Sequence, residues 1–242
     1  RYADFFRYLL YTERNIGPKI DNNDIIVLGQ KISAHSFSTK IVYDLISNRD
    51  SNRYTNIIQN MWRTELSNPI FDLSIFWQNN FLKFTDSMSK DIHYLFTYSA
   101  LMTRNRISKF DKSLPEFCKF CLNKAKNEKE TNLHAIITCE RVFDFWEKVK
   151  KFLGKFEIIL TKEAKNFGIA NKDKNVNITL LNCAIQIAQK SIWVTRNDLE
   201  HKDKVVDIWK HFKTCSVKIL KMHKNYSENT VNIVYVLNNL NL

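Results

Sequence analysis

From about residue 37 onward, apolar positions recur at three- and four-residue intervals, the spacing of a buried helix face rather than the alternation of a strand. Ile41, Val42, Leu45 and Ile46 form a short stripe after Ser38-Thr39, an N-cap signal. Tyr54, Ile57, Ile58, Met61, Trp62 and Leu66 form a second stripe, which Asn68-Pro69 ends. A dense aromatic segment runs from Leu73 to Phe84, and Met88, Ile92, Leu95, Phe96, Ser99 and Thr103 predict a helix ending near Arg104 and Arg106. Val142, Phe145, Trp146, Val149, Phe152 and Leu153 predict another, stopped by Gly154. Residues 161–177 are rich in Lys and Asn and read as a loop. Leu181, Ala184, Ala188, Ser191 and Thr195 begin a stripe of small residues. The longest stripe spans 203–224, from Val205 to His223, with Lys210, Lys213, Lys218, Lys221 and Lys224 on its opposite face. Val231–Leu237 is apolar but too short to separate strand from helix. Residues 1–35 are mixed: Tyr2–Tyr11 could be a helix, and Gly17-Pro18 and Asp21-Asn22-Asn23-Asp24 are turn signals.

Composition narrows the class. Of 242 residues, 44% are hydrophobic and 13% aromatic, enough apolar surface to offset the ordering entropy of a folded core. With 4 Gly and 3 Pro, a turn-rich sandwich or propeller and Gly-rich phosphate loops are not expected. No apolar run reaches the ~18 residues of a membrane span. A start at Arg1, with no charged n-region and apolar h-region, predicts no signal peptide and a piece of something longer. The expected organisation is a linker or end of a preceding domain over 1–36, a helical region over 37–113, a metal-binding knuckle and its following helix over 114–155, and a C-terminal helical region over 156–242.

The formal net charge of +12 points to a polyanion, with nucleic acid the default. A second origin stands beside it. The chain holds 27 Lys, 10 Arg and 26 Asn; Lys, Asn, Ile, Phe and Tyr share A/T-rich codons, and Arg, the usual bidentate reader of phosphates and bases, is the minority cation.

The sharper chemistry is in the cysteines. Five is an odd count, unlike a secreted disulfide framework. Cys118 and Cys121 are followed by His134 and Cys139, a Cys-x2-Cys-x12-His-x4-Cys pattern. A tight turn brings the first two thiolates to one ion, and His134 and Cys139 lie a little more than one helical turn apart. Three thiolates and one imidazole complete a tetrahedron and leave no open position, so one structural Zn²⁺ is expected. A redox Cys-x-x-Cys pair or unmetallated core thiols are the alternatives. Leu122–Asn132 has no aromatic to build the miniature core of an independent finger. The fold class is therefore mainly α, a multi-helix array with a small zinc knuckle inserted between helices. Cys183 and Cys215 read as buried thiols; His35, His93, His201, His211 and His223 read as structural or exposed.

Phe117-Cys118-Lys119-Phe120-Cys121, Glu130-Thr131-Asn132-Leu133-His134, Cys139 and Phe145-Trp146 together resemble the C-terminal Cys-Cys-His-Cys region of non-LTR (LINE-type) retrotransposon reverse transcriptases. The order of the flanks is similar too: Thr39–Ile46, a Trp-bearing helix (Trp62), a Trp-rich segment (Trp77), a basic stretch Thr103-Arg104-Asn105-Arg106, and, after the cysteines, Trp193-Val194-Thr195-Arg196-Asn197. The resemblance covers roughly residues 36–212. It implies a region after the polymerase fingers, palm and thumb that holds template RNA or target DNA for target-primed reverse transcription. It further implies RNA and/or DNA and the polymerase part of the same polyprotein as partners, and an intracellular, nuclear or nucleus-associated setting, with no membrane and no small-molecule substrate.

No polymerase chemistry is expected of this chain itself. A palm needs paired Asp residues for two-metal catalysis, and Tyr2-Ala3-Asp4 is followed by Phe5. The candidate nucleic-acid residues are Arg104, Arg106, Lys109 and Lys112 before the knuckle, Lys119, Lys124 and Lys126 within it, Lys148 and Lys151 after it, and Arg196. Phe117 and Phe120 could stack exposed bases or pack against Trp146. A different class of reading is a purely structural module that docks on the polymerase. A third is a restriction-like nuclease, for which Glu200-His201-Lys202 supplies the E-x-K triplet but no Pro-Asp pair exists.

Overall fold

A computed structural model describes residues 19–21, 24–27, 30–33, 56–80, 82, 85–121, 128–171, 175–202, 205–222 and 227–239. Contacts divide the chain into Arg1–Trp62 and Arg63–Leu242. The stretches Tyr2–Tyr11 and Ile41–Ile46, the triplet Tyr2-Ala3-Asp4, His35 and His223 lie outside the described residues.

Within the first unit, three short strands form an antiparallel meander: β1 (Lys19–Asp21), β2 (Asp24–Val27) and β3 (Gln30–Ser33). Ile20 pairs with Ile25, and Ile25 with Ile32, a cross-strand ladder of β-branched side chains. The Asp21–Asp24 turn signal falls where β1 passes to β2. Runs of three and four residues are too short for alternation to register, so the sequence pattern missed these strands.

The described fold is otherwise mainly helical, with the Cys-Cys-His-Cys cluster between helices. Helix α1 covers 56–66; Trp62 and Leu66 are buried, and Ile57 is exposed. Helices α2 (Ser74–Asn80) and α3 (Ser87–Thr97) follow, then the single turn α4 (Arg104–Ile107). The helix expected to continue to Arg104 instead stops at Tyr98. Ser99 turns left-handed (φ +50°), its N–H bonds Phe96 O, and the Ala100 N–H reaches Leu95 O. That is a Schellman cap with Ser where Gly is usual.

Beyond the knuckle lie α5 (Phe143–Gly154), α6 (Lys162–Phe167), α7 (Val176–Lys202), α8 (Ile208–Met222) and α9 (Ser227–Asn239). Gly154 is the last residue of α5 and not its left-handed stop. Glu157 (φ +60°) takes that place, with Ile158 N–H bonded to Leu153 O. The expected loop over 161–177 contains α6, begun by Thr161, whose hydroxyl accepts the Ala164 N–H. Helix α8 starts at Ile208 rather than 203, because the Asp207 carboxylate accepts the N–H groups of Trp209 and Lys210. Val231–Leu237 is helical, inside α9.

Helix α7 is the centre of this unit, packing against α3, α8 and the turn that carries His134. It is buried on nearly every side from Leu180 to Trp193, so its small residues serve close approach rather than one stripe. Phe145 and Phe152 of α5 meet Phe212 of α8 in edge-to-face contacts, and Phe145 also meets Trp209. Polar side chains inside this core are largely matched. Asn182 donates to Asn79, Asn79 to Phe167 O, and Gln186 to Asn79 O.

Candidate metal centre

The knuckle begins as two antiparallel arms. Phe117 pairs with Lys129, the Cys118 N–H bonds Glu128 O at 2.9 Å, and the Glu130 N–H bonds Glu116 O at 2.9 Å. Between the arms, the Cys121 N–H closes a tight turn on Cys118 O at 3.2 Å, bringing both sulfurs to one side. The second pair of ligands rides on a short helical segment. Thr131 caps it, its Oγ1 accepting the His134 N–H at 3.1 Å. From His134 to Thr138 this segment widens into a π-helical turn, and the Cys139 N–H bonds His134 O at 2.8 Å. An α-helix turns 100° per residue, so positions five apart would point ~140° away from each other. The i→i+5 turn returns Cys139 to the face of His134, which is what a His-x4-Cys spacing requires.

Cys118, Cys121, His134 and Cys139 are all buried, and one ligand atom from each lies within 4.8 Å of the others, so the four could hold one metal ion. Cys118 Sγ and Cys121 Sγ are each 3.8 Å from Cys139 Sγ, and Cys121 Sγ is 3.5 Å from His134 Nε2. The other imidazole nitrogen, Nδ1, is 3.0 Å from Glu128 Oε2. A carboxylate there holds the proton on Nδ1 and turns the Nε2 lone pair inward.

The electrostatics favour a cation at the centre. The hydrogen bond from Cys139 draws the Cys118 thiol down to about 4. Its partner Cys139 is pushed up by that same bond and by burial, and burial and the Cys118 charge push Cys121 up. Burial opposes protonation of His134, but the Cys118 hydrogen bond and the charges of Cys118, Glu128 and Glu130 outweigh it and raise the imidazole. One ionised thiol thus keeps its neighbours protonated unless a metal replaces the protons.

Around the four ligands the sequence motifs find partners. Glu130 is buried and forms an ion pair with Arg196 of α7; its Oε2 also accepts the Arg104 N–H at 2.8 Å. Trp146 donates its indole N–H to Ile136 O at 2.8 Å, holding α5 to the π-helical turn. The Arg141 guanidinium lies 4.9 Å above the Phe120 ring and donates to Ile192 O at 3.1 Å. Glu128, Glu130, Thr131 and Arg141 were not among the expected site residues. A Thr three positions before His134 was the legible capping signal; the partners of Glu130 and Arg141 lie too far along the chain to be read.

The expected nucleic-acid residues divide. Arg196 is corrected: at 3% exposure its guanidinium is spent on Glu130 and Asn197 inside the protein. Arg104 is half-buried and bonds Glu200, and Arg106 bonds Ser99 O at 3.0 Å. The Arg104 bonds and charge also hold the Glu200 carboxyl below its usual range against burial. Lys109, Lys112 and Lys151 are exposed; Lys119, Lys148, Phe117 and Phe120 are half-buried. Lys124 and Lys126, and the side chains of Trp77, His201 and Lys202, lie outside the described residues. Cys183 is buried as expected, whereas Cys215 is half-buried beside His211.

No helix among the described residues is long and apolar enough to cross a membrane. No family model, curated protein or solved structure matches the chain.

Proposed function

We propose that this chain is a zinc-stapled, nucleic-acid-binding region of the kind found C-terminal to the polymerase in non-LTR retrotransposon proteins, and that it carries no catalytic site of its own. The observation that carries the zinc is the size of the tetrahedron. Bonds of ~2.3 Å to sulfur and ~2.0–2.1 Å to nitrogen imply S···S edges of about 3.8 Å and S···N edges of about 3.5 Å. Two of the three S···S edges of the cluster are 3.8 Å and one of its three S···N edges is 3.5 Å, and all four ligand atoms lie within 4.8 Å of one another. With four protein ligands the ion would be structural, fastening α5 and α7 to the knuckle, and not a Lewis acid.

The resemblance supports the family reading because its motif residues converge on one place. Glu130 and His134 of the first motif, Trp146 of the second and Arg196 of the third all surround or brace the cluster. Nucleic-acid binding rests on the exposed lysines, chiefly Lys109, Lys112 and Lys151, with RNA or DNA and the polymerase as partners in an intracellular, nucleus-associated setting. The internal use of Arg104, Arg106 and Arg196 favours a second reading, a structural module docked on the polymerase.

A salt titration on an RNA hairpin and a DNA duplex separates the two. Binding whose log affinity falls linearly with log salt is expected. Failure to bind either below ~100 μM at low salt would leave the docking module.

A further inference from the structure

Away from the knuckle, helices α8 and α9 enclose an open groove of about 680 Å³, lined by Trp209, Lys210, Lys213, Thr214, Val217 and Lys218 of α8 and by Asn238 of α9. Among the described residues its lining holds three ammonium groups and no carboxylate. Lys210 and Lys218 are exposed and Lys213 is half-buried. None of the three forms an ion pair among the described residues, although other lysines do: Lys190 pairs with Asp86, Lys129 with Glu116 and Lys150 with Glu147. The Asp207 carboxylate at the start of α8 is engaged by the Trp209 and Lys210 N–H groups, and three like charges lining one concavity create a field that an external anion relieves.

From the groove we infer that α8 and α9 form a track for the phosphate backbone of a single-stranded nucleic acid, separate from the knuckle. It rests on the nucleic-acid reading above and extends it to residues that reading does not use. Three arguments select this occupant. From Lys210 to Lys218 the helix rises about 12 Å, so the three ammonium groups are spread along the groove rather than gathered at one point. At ~3.4 Å per nucleotide, a span of that length meets about three phosphates of a stacked strand. Trp209, 8% exposed, forms the floor of the groove rather than an outward anchor for a lipid surface. With the indole ring covered, binding is to phosphates and hydroxyls and carries no base preference.

The test is fluorescence anisotropy of the full chain, metal-loaded, with 5′-labelled U20 RNA across a salt series. Two variants are compared: Lys210→Gln/Lys213→Gln/Lys218→Gln and, at the knuckle, Lys109→Gln/Lys112→Gln/Lys151→Gln. The groove variant should lose about tenfold or more in affinity at 50 mM salt, and its salt slope should fall by about two, since each single-strand phosphate contact contributes ~0.7. It should keep wild-type helical circular dichroism and one metal per chain. An unchanged affinity and slope in this variant, with the knuckle variant impaired, overturns the groove and leaves the nucleic-acid reading standing. Binding of phosphatidylserine vesicles, but not U20, through the three lysines overturns it in favour of a membrane surface. A wild-type chain that binds neither U20 nor the hairpin or duplex overturns both.

Discussion

Glu130 and Arg196, 66 positions apart, meet as a bidentate ion pair, with Nε 3.1 Å from Oε1 and Nη2 2.5 Å from Oε2. Both side chains are almost wholly buried, at 1% and 3% exposure. Removing two charges from water is costly, and the geometry offsets that cost: two parallel hydrogen bonds, a third to Glu130 from the Arg104 N–H, and the Trp193 ring 5.1 Å from the guanidinium. The pair joins the arm that precedes His134 to the central helix.

Truncating one partner leaves the other charge buried and unpaired. Arg196→Ala should therefore lower unfolding stability by about 3–5 kcal/mol. Arg196→Lys should recover only part, because an ammonium cannot make the fork. Urea denaturation measures both; a loss below ~1 kcal/mol for the alanine variant would show that the pair contributes little.

Metal removal should uncouple the knuckle. Cys121→Ser is expected to lose the ion and a large part of the thermal stability, whereas Cys215→Ser keeps one zinc per chain. Elemental analysis with thermal melts, with and without a chelator, distinguishes them. A full zinc complement in Cys121→Ser means the ligand set is wrong.

Two glycines should respond oppositely to alanine. Gly168 has φ +84° and ψ −174°, and an added Cβ would stand 2.7 Å from Asn182 Oδ1 and from Asn79 Nδ2. Gly168→Ala should cost about 1–3 kcal/mol by backbone strain alone and more by disrupting that amide network. A Cβ added at Gly154 would meet no atom of the described residues within 4 Å beyond its chain neighbours and its own helix backbone, and the helical position should make Gly154→Ala stabilising by about 0.5–1 kcal/mol. Paired chemical denaturation curves give both signs.

Glu157, exposed, occupies the left-handed cap position after α5. Glu157→Gly removes the Cβ strain there and should raise stability by about 1 kcal/mol. A melting point equal to or below that of the unaltered chain would mean that the side chain compensates the strain.

His93 gives a pH signature. Gln189 donates its amide to Lys165 O and Asn166 O, so its oxygen faces His93 Nδ1 at 2.8 Å, and Nδ1 carries the proton. The buried Nε2 has no partner among the described residues. Burial depresses the imidazole to about 4, despite the Gln189 bond. The unfolded chain then binds the proton first. Stability from this group is full above about pH 6.5 and is lost as pH falls toward 4, by roughly 3 kcal/mol in all. His93→Gln should flatten that part of the profile; the difference between the two chains from pH 7 to 5 isolates it from loss of metal.

Much of the candidate site was legible. The four ligands were identified by spacing, and α5, α7 and α8 by their stripes. Other elements escaped for identifiable reasons. Helix α6 has six residues, too few for a period to emerge, and β1 to β3 are shorter still. The end of α3 was misplaced because Ser99 occupies a position that usually announces itself with glycine.

By itself, the amino-acid order determined which thiols and imidazole gather where one ion could be held, because ligand spacing and helix periodicity are local. It also determined the sign of the charge, but not its use. Arg196 and Lys210 are both cations on strongly helical segments. Tertiary structure decided that Arg196 closes on Glu130 inside the protein, while Lys210 faces an open groove. The physical reason is that a charge's role depends on whether a counter-charge waits nearby, and here that partner lies dozens of residues away.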